Sequence, residues 1–307
     1  MPTAGEQLRL MHVHAHPDDE SSKGAASTAR YVAEGVHVCV VSCTGGERGD
    51  ILNPAVDTPE VLANLPQVRR DEMARAAEVL GVEHHWLGFI DSGYPQPNDE
   101  GATPPLPDDC FALVPLEVSA PPLVKLIRQQ RPHVLTTYDE NGGYPHPDHI
   151  RCHDVAMAAA AAAADPAYAP ELGAAWQVLK IYYHAGFHYT RVKAIHDAAV
   201  AAGAESPYAE WLEGWDHSGD REVTTSVPCD LEHFHVRDEA LKAHATQIDP
   251  QRWFVVPTHV QHQVWSTEEY ELARTWVPAT LPETDLFAGL RHTGTDSNDV
   301  ETAEVVR

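Results

Sequence analysis

The sequence predicts an α/β fold: a Rossmann-like, mostly parallel sheet flanked by helices, with a smaller C-terminal α/β portion that closes the pocket. Short apolar runs alternate with helical segments over most of the 307 residues, which is typical of βαβ units. Clusters of histidine and carboxylate residues directly follow two of the apolar runs. Ligands of open α/β sheets bind where strands end, so these clusters mark the expected site.

We divide the chain into three parts. Residues 1–170 are expected to form the Rossmann-like core that carries both clusters, and residues 171–290 a portion that caps the site. The polar and acidic residues 291–307 are expected to form a disordered tail. A chain of 307 residues is long enough to bury a sizeable core, either as one large domain or as two that share an interface.

The elements follow in order along the chain. Apolar and β-branched runs predict strands, and amphipathic or alanine-rich segments predict helices. The predicted strands span residues 8–13, 36–41, 86–90, 133–137, 178–183 and 223–227. The predicted helices span residues 21–34, 68–80, 123–130, 150–164, 192–201 and 231–247. Between them, the proline-rich residues 95–122 predict an extended excursion that acts as a rim or lid.

Charge and cysteine content limit the partners and the compartment. A formal net charge of -25 at pH 7 repels phosphate backbones and anionic lipids, so we expect no nucleic acid, no membrane and a small-molecule substrate. Five cysteines without a CxxC pair indicate free thiols in a reducing cytoplasm. The first residues lack the apolar core of a signal peptide, which also favours a cytoplasmic protein. No oligomeric state is predicted.

The first cluster, residues 14–20, reads HAHPDDE and gathers two imidazoles and three carboxylates between a predicted strand and a predicted helix. Adjacent carboxylates repel one another, and a divalent cation removes that repulsion, while the start of a helix favours the remaining negative charge. An acidic helix cap would explain the carboxylates without a metal.

The second cluster, residues 139–149, reads DENGGYPHPDH and also follows a predicted strand. Two such clusters favour a metal site over chance. His16 and Asp19 from the first and His149 from the second would give Zn²⁺ three protein ligands and one open position for water, as in catalytic sites. Of the adjacent Asp18 and Asp19, one is expected to bind the metal and the other to be the general base. Spacing leaves open which is which.

These motifs resemble those of the PIG-L or LmbE-like zinc deacetylases, in which HPDDE is followed far downstream by HPDH. Longer segments, from about Leu8 to about Leu290, resemble the branch that acts on mycothiol S-conjugates: HAHPDDESSKG, TGGERGDILNP, RRDEM, LGFIDSG, TTYDENGGYPHPDHIRCH and AHATQIDP. The resemblance implies metal-dependent hydrolysis of the bond between the cysteinyl carbonyl and the glucosamine nitrogen. The products would be an N-acetylcysteine S-conjugate and glucosaminyl-inositol, in detoxification or a specialised biosynthetic pathway.

The resemblance also implies a role for each residue of the clusters. Asp19 would bind the metal and Asp18 would be the base. The cofactor would be Zn²⁺, with Fe²⁺ as an alternative in the same site. His146 would donate a proton to the leaving group or support the oxyanion, and Asp148 would orient His146. Tyr144 would add a hydrogen bond to the oxyanion.

Six further residues are candidates for binding the substrate, and each also has a structural explanation as a loop acid, an ion pair or part of an amphipathic helix. They are Lys23, which matches the lysine of the branch, Glu47 and Asp91, which could accept hydroxyl groups, Arg70 at a helix start, and His244 and Gln247, three apart on one helix. Five tryptophans either stack on a sugar or on an apolar S-substituent or pack in the core: Trp211, Trp215, Trp253, Trp265 and Trp276.

Three other functions are compatible with parts of the pattern. An N-acetylglucosaminyl-inositol deacetylase would use the same chemistry on a smaller acyl group, although Lys23 favours the amidase branch. A non-haem Fe(II) oxygenase would use an HxD…H triad, but such triads belong to all-β folds. A non-catalytic sugar-binding protein would have no reason to keep both Asp18 and His146 beside a metal.

Overall fold

A computed structural model describes residues 1–3, 5–97 and 101–291. The acidic tail expected from residue 291 onward lies, apart from its first residue, outside the described residues.

A seven-stranded sheet forms the centre of the described part of the chain. Its strands are β1 Arg9–His14, β2 His37–Thr44, β3 Glu83–Phe89, β4 Val134–Thr137, β5 Lys180–His184, β6 Thr225–Pro228 and β7 Thr267–Thr275. They lie in the order β3-β2-β1-β4-β5-β7-β6. Strands β1 to β5 pair in parallel, and β7 runs antiparallel to both β5 and β6. The mostly parallel α/β fold predicted from the sequence is confirmed.

Helices cover both faces of the sheet. Those described are α1 Asp19–Ser22, α2 Ala25–Ala33, α3 Pro59–Ala63, α4 Leu65–Leu80, α5 Leu116–Gln130, α6 Pro147–Ala164, α7 Tyr189–Ala201, α8 Ala209–Glu213, α9 Leu231–Ala243, α10 Pro250–Trp253 and α11 Thr258–Val264. Side chains alternate between the faces along a strand, so Met11 packs with Ile127 of α5 and Val155 of α6. Its neighbour Leu10 packs on the opposite face with Tyr31 of α2 and Phe234 of α9.

The strand order places the site. From β1 the chain builds β2 and β3 on one side, and it then returns to add β4 on the other side of β1. Such a switch point leaves a crevice at the carboxyl ends of the two central strands, where Rossmann-like folds bind ligands. Both His/Asp clusters begin there, because one follows β1 directly and the other follows β4.

Several boundaries differ from those predicted. Helix α5 begins at Leu116 and contains Pro121 and Pro122, so the end of the proline-rich segment is helical; packing of its apolar face against α6 outweighs the poor helix propensity of proline. Helix α9 ends at Ala243, four residues earlier than predicted. Strand β7 was not predicted at all, because its sequence TEEYELART places two glutamates at buried positions.

Strands from both sides of residue 170 join one sheet, and the division into a core and a capping portion stays a prediction. The five cysteines are free and buried, as expected. No helix among the described residues is long and apolar enough to cross a membrane.

A buried ion pair at the start of β5 generates a test of the fold. Nζ of Lys180 lies 2.6 Å from Oε1 of Glu283, and both side chains are buried. The substitution Glu283→Gln leaves the ammonium group of Lys180 without its partner charge. We expect the free energy of unfolding to fall by about 3–5 kcal/mol.

Urea denaturation measures the change in the free energy of unfolding. The control is Asp197→Asn, because Lys193 and Asp197 form an exposed pair with the same 2.6 Å separation, and the expected change there is at most about 0.5 kcal/mol. Equal effects of the two substitutions would contradict the importance of burial.

Candidate active site

Three side chains from the two clusters converge in the crevice between β1 and β4. Oδ2 of Asp19 lies 3.5 Å from Nδ1 of His16 and 3.5 Å from Nε2 of His149. One ligand atom from each residue can be chosen so that all lie within 4.8 Å of one another, and all three residues are buried. The structure thus brings together the three residues that the sequence predicted as metal ligands.

Polar groups around the two imidazoles of the trio, His149 and His16, fix the orientation of each ring. Nδ1 of His149 lies 3.0 Å from the carbonyl oxygen of Gly142, and a carbonyl can only accept, so the proton is on Nδ1 and the lone pair on Nε2. His16 turns Nε2 toward the carboxylates of Asp148, at 3.3 Å, and Asp91, at 3.4 Å, which leaves Nδ1 facing Asp19. Carboxylates and carbonyls behind histidines are the usual orienting partners in metal sites.

The trio fits a cation. Nε2 of His149 is buried and has no hydrogen-bond partner in the described part of the chain, a state that is costly unless some ligand supplies the missing contact. Burial alone would lower the pKa of His16, but hydrogen bonds to carboxylates, led by Asp148, raise it well above its usual value. Burial instead lowers the pKa of His149 well below its usual value, so that ring is neutral, as a metal ligand must be.

Asp19 is held by donors on every side. Its Oδ2 accepts hydrogen bonds from the Tyr138 hydroxyl, at 2.6 Å, and from the backbone N–H of His16, at 3.0 Å. Its Oδ1 accepts from Nζ of Lys23, at 2.6 Å. Burial opposes ionisation, yet the positive charges of Lys23 and the nearby histidines hold the pKa of Asp19 well below its usual value. It is therefore an ionised carboxylate, as a metal ligand must be.

A second trio, formed by His12, His14 and His184, also has ligand atoms within 4.8 Å of one another. It contains no carboxylate. Both ring nitrogens of His12 already have hydroxyl partners, Thr136 at 2.6 Å and Thr28 at 3.0 Å. The two ring nitrogens of His14 are buried without a partner among the described residues, but with His12 engaged and no carboxylate in the group, this trio is the poorer site for a divalent cation.

Asp18 stands beside the trio in a strained backbone conformation. Its φ is 115°, in the left-handed region, which costs a non-glycine residue about 1–3 kcal/mol and is found mainly at functional sites. The backbone N–H of Asp18 donates to Oε2 of Glu20, at 2.9 Å, which helps to hold this conformation. Burial raises the pKa of Asp18 to about 6, against the opposing charge of Arg69 and with a contribution from Asp19.

His146 caps the start of α6. Its Nδ1 accepts a hydrogen bond from the backbone N–H of Asp148, at 3.1 Å, so the neutral ring carries its proton on Nε2. The ring centroid lies 4.6 Å from that of His16 and 5.5 Å from that of Tyr94. Burial lowers the pKa of His146 to about 4, helped by the charge of His16. The ring is therefore poised to donate a hydrogen bond from Nε2.

The structure corrects the role of two acidic residues. The carboxylate of Asp148 faces His16, not His146, and only its backbone amide contacts His146. Asp91 is buried behind His16 and accepts hydrogen bonds from the backbone amides of Arg48 and Gly93. Both carboxylates thus orient His16, one of the candidate metal ligands, and Asp91 also holds the loop around it, while Oδ1 of Asp148 is buried without a hydrogen-bond partner among the described residues.

The structure also shows the surroundings of three other residues predicted to bind substrate, for which that role stays a prediction. Arg70 is exposed on α4, whereas the buried Arg69 donates to the carbonyl oxygens of Pro17 and Gly46 and faces Asp18.

His244 and Gln247 follow α9 and do not share a face of it. His244 is fully buried, with Nε2 2.7 Å from Oε1 of Glu20. Gln247 is also buried and donates to the carbonyl oxygen of Asp50 at 3.0 Å. Both therefore support the loops of the site from behind.

Three predicted residues do border the opening. Tyr144 is exposed, and its ring centroid lies 4.6 Å from that of His149. Lys23 and Glu47 are half-buried. Sequence reasoning missed Tyr138 and Tyr94. The first follows β4 directly, in the same relation as the first cluster to β1, and that position was the available signal.

A model of the PIG-L family, described as GlcNAc-PI de-N-acetylase, matches residues 11–160. A mycothiol S-conjugate amidase of Streptomyces coelicolor is 55% identical over 93% of this chain and 98% of its own length. The chain belongs to the PIG-L family. A 1D-myo-inositol 2-acetamido-2-deoxy-alpha-D-glucopyranoside deacetylase of Geodermatophilus obscurus is 40% identical over 92% of this chain and 98% of its own length.

Solved structures of other proteins share the fold. An N,N'-diacetylchitobiose deacetylase of Pyrococcus horikoshii has a TM-score of 0.57 at 17% identity, over 86% of this chain and 83% of its own. A conserved protein of Thermus thermophilus has a TM-score of 0.54 at 20% identity, over 89% of this chain and 98% of its own. The family membership implied by the HPDDE and HPDH motifs is confirmed.

Gly142 provides a test of how His149 is positioned. Its φ is +78°, and an added Cβ would lie 2.7 Å from Cβ of His149. We expect Gly142→Ala to displace that ring and to weaken metal binding by about 10- to 100-fold, the usual effect of disturbing an orienting contact. Competition with a chromophoric chelator measures the affinity.

Gly143→Ala is the matched control, because Gly143 also has a positive φ, of +73°, but nothing lies within 4 Å of an added Cβ. Similar losses in both variants would show that backbone strain, and not the contact with His149, is responsible.

Proposed function

We propose that the protein hydrolyses the amide bond between the cysteinyl carbonyl and the glucosamine nitrogen of mycothiol S-conjugates. The observation that carries this proposal is the buried trio His16, Asp19 and His149, flanked by Asp18 and His146, in a chain 55% identical to an amidase of that name. Water would add its oxygen to the carbonyl carbon and its protons to the nitrogen side. The products would be an N-acetylcysteine S-conjugate and glucosaminyl-inositol.

His16, Asp19 and His149 would hold Zn²⁺, and Fe²⁺ would suit the same nitrogen and oxygen ligands. When bound, such an ion polarises the carbonyl and lowers the pKa of water. The five buried thiols remain free, which supports action in a reducing cytoplasm.

The chain's own residues would move the protons. Asp18 would accept a proton from the attacking water, because it is the acidic side chain next to Asp19 that remains partly exposed, 23% against 5%. His146 would use its Nε2–H to support the oxyanion, or it would first take up the proton that Asp18 accepts from water and then protonate the departing nitrogen as an imidazolium. The exposed hydroxyl of Tyr144 would add a further hydrogen bond. Arg69 would position Asp18 through its charge and through the carbonyl groups that it holds.

Lys23 and Glu47 would bind the substrate at the opening, and residues 171–290 would cap it. In the structure Lys23 pairs with Oδ1 of Asp19. A divalent cation would compete for the same carboxylate, and Lys23 would then be available for a carbonyl or hydroxyl group of the conjugate.

A second candidate is the deacetylation of N-acetylglucosaminyl-inositol. The 40% identity to a deacetylase across 92% of this chain favours it as the alternative, because the same metal ligands would serve an acetyl group. The two candidates differ in the acyl group alone, so substrate comparison separates them.

Two substitutions distinguish a metal ligand from a base. His149→Ala should lose both metal and turnover. Asp18→Asn should keep the metal and lose turnover by roughly 10²–10⁴, as is usual when a general base is removed. Metal analysis of the purified variants, together with hydrolysis rates, measures both. A normal metal content with normal turnover in His149→Ala would remove that residue from the site, and loss of metal in Asp18→Asn would make Asp18 a ligand.

Lys23→Ser tests the choice of substrate. If Lys23 binds the cysteinyl portion, the transition state for hydrolysis of a mycothiol S-conjugate should lose about 1–3 kcal/mol of stabilisation, which would be measured as a lower kcat/KM. Hydrolysis of N-acetylglucosaminyl-inositol should change little. Equal losses on the two substrates would mean that Lys23 acts only through its pair with Asp19, and would favour the deacetylase alternative.

A further inference from the structure

An exposed group of aromatic rings follows β5. It consists of Phe187, Trp211 and Trp215, which we call the aromatic patch. The ring centroid of Phe187 lies 5.2 Å from that of Trp211 and 5.4 Å from that of Trp215. Phe187 is 58% exposed and Trp211 is 55% exposed. Large rings that group together at the surface, and not in the core, are typical of binding sites.

The patch lies at the edge of the sheet that carries the metal trio. Strand β5 is parallel to β4 and ends at His184, three residues before Phe187. Because the carboxyl ends of parallel strands meet at one edge, this loop and the two clusters share that edge. Two strand spacings, about 10 Å in all, separate β5 from β1.

Two hydrogen bonds, joined through the peptide between Asp220 and Arg221, connect the patch indirectly to the second cluster. Nε1 of Trp215 donates to Oδ1 of Asp220, at 2.8 Å. The next residue, Arg221, donates to Oε1 of Glu140, at 3.0 Å. Glu140 belongs to the second cluster, residues 139–149, which runs from the loop after β4 into the first turn of α6. The patch is therefore linked to the segment that supplies His149, a candidate metal ligand.

The two sides of the trio have different chemistry. In its proposed role as donor to the departing nitrogen, His146 marks the side of the leaving group, and its ring lies against Tyr94, which belongs to the loop after β3. The sugar that carries that nitrogen is therefore expected on the β3 side. The acyl group leaves the carbonyl in the opposite direction, which is toward β5. The sulfur is attached to the Cβ of that acyl group, so its substituent points toward the aromatic patch.

We propose that the aromatic patch binds the S-substituent of the conjugate and favours substituents that are themselves aromatic. This inference rests on the proposed function, because it assumes that the scissile bond lies at the trio. Rings of Phe187 and Trp211 would stack on the substituent, and Trp215 would support them.

The test compares two conjugates of mycothiol, one S-methyl and one S-naphthylmethyl. In Phe187→Ala and Trp211→Ala, kcat/KM for the naphthylmethyl conjugate should fall about tenfold, since a stacked aromatic pair and its buried area contribute on this order. The value for the methyl conjugate should change less than about twofold. Trp211→Phe, which keeps an aromatic ring, should restore most of the loss.

Trp276→Ala is the matched control. Trp276 is 50% exposed, but its backbone N–H donates to Leu179, next to the start of β5, at the opposite edge of the sheet. It should change neither value.

Each other outcome overturns the inference. Equal losses on both conjugates would show that the patch supports the fold, and no loss on either would show that it serves another contact, such as a protein partner. If the unmodified protein hydrolyses neither conjugate, the proposed function itself fails. If the unmodified protein hydrolyses both conjugates, but no variant loses more activity on the naphthylmethyl conjugate than on the methyl conjugate, only the role of the patch is overturned.

Discussion

The site depends on one constraint: a buried carboxylate, Asp19, must be kept ionised between two imidazoles. Burial makes the charged form costly, and the structure offsets this with donors from three parts of the chain, namely the Tyr138 hydroxyl, the His16 amide and the Lys23 ammonium group. Those donors meet only if β1 and β4 are neighbours. The topology of the sheet is therefore a requirement of the site as well as its support.

Around that centre a second layer of polar residues fixes orientation. Asp148 and Asp91 hold His16, and the carbonyl of Gly142 holds His149. His244 holds Glu20, which in turn accepts from the amide of Asp18. All of the side chains in this layer are buried. Their burial shows why a site of this kind needs many more polar residues than the chemistry itself uses.

The sequence was sufficient for the fold and for the convergence of the trio, because these follow from local pattern and from where strands end, whereas the capping of α6 by His146 was not predicted. The sequence did not predict the direction of a side chain that could contact either of two partners. Whether Asp91 and His244 face the opening or the interior depends on tertiary packing, and adjacent Arg69 and Arg70 differ only in which face of α4 is buried. Strand β7 was missed because its buried glutamates, such as Glu269, are paired with distant residues such as Arg191.

The division of labour along the sheet follows from the same topology. The residues proposed as ligands, base and donor lie just after β1 and β4, in the loops there or in the first turns of α1 and α6, which would confine the reacting bond to the switch point. The loops after β3 and β5 lie on opposite sides of it. On the proposed function, a substrate that crosses the crevice would present one half to each loop, and separate segments of the chain would recognise its two halves. Changes in the loop after β5 can then alter the accepted acyl group without disturbing the groups that carry out the hydrolysis.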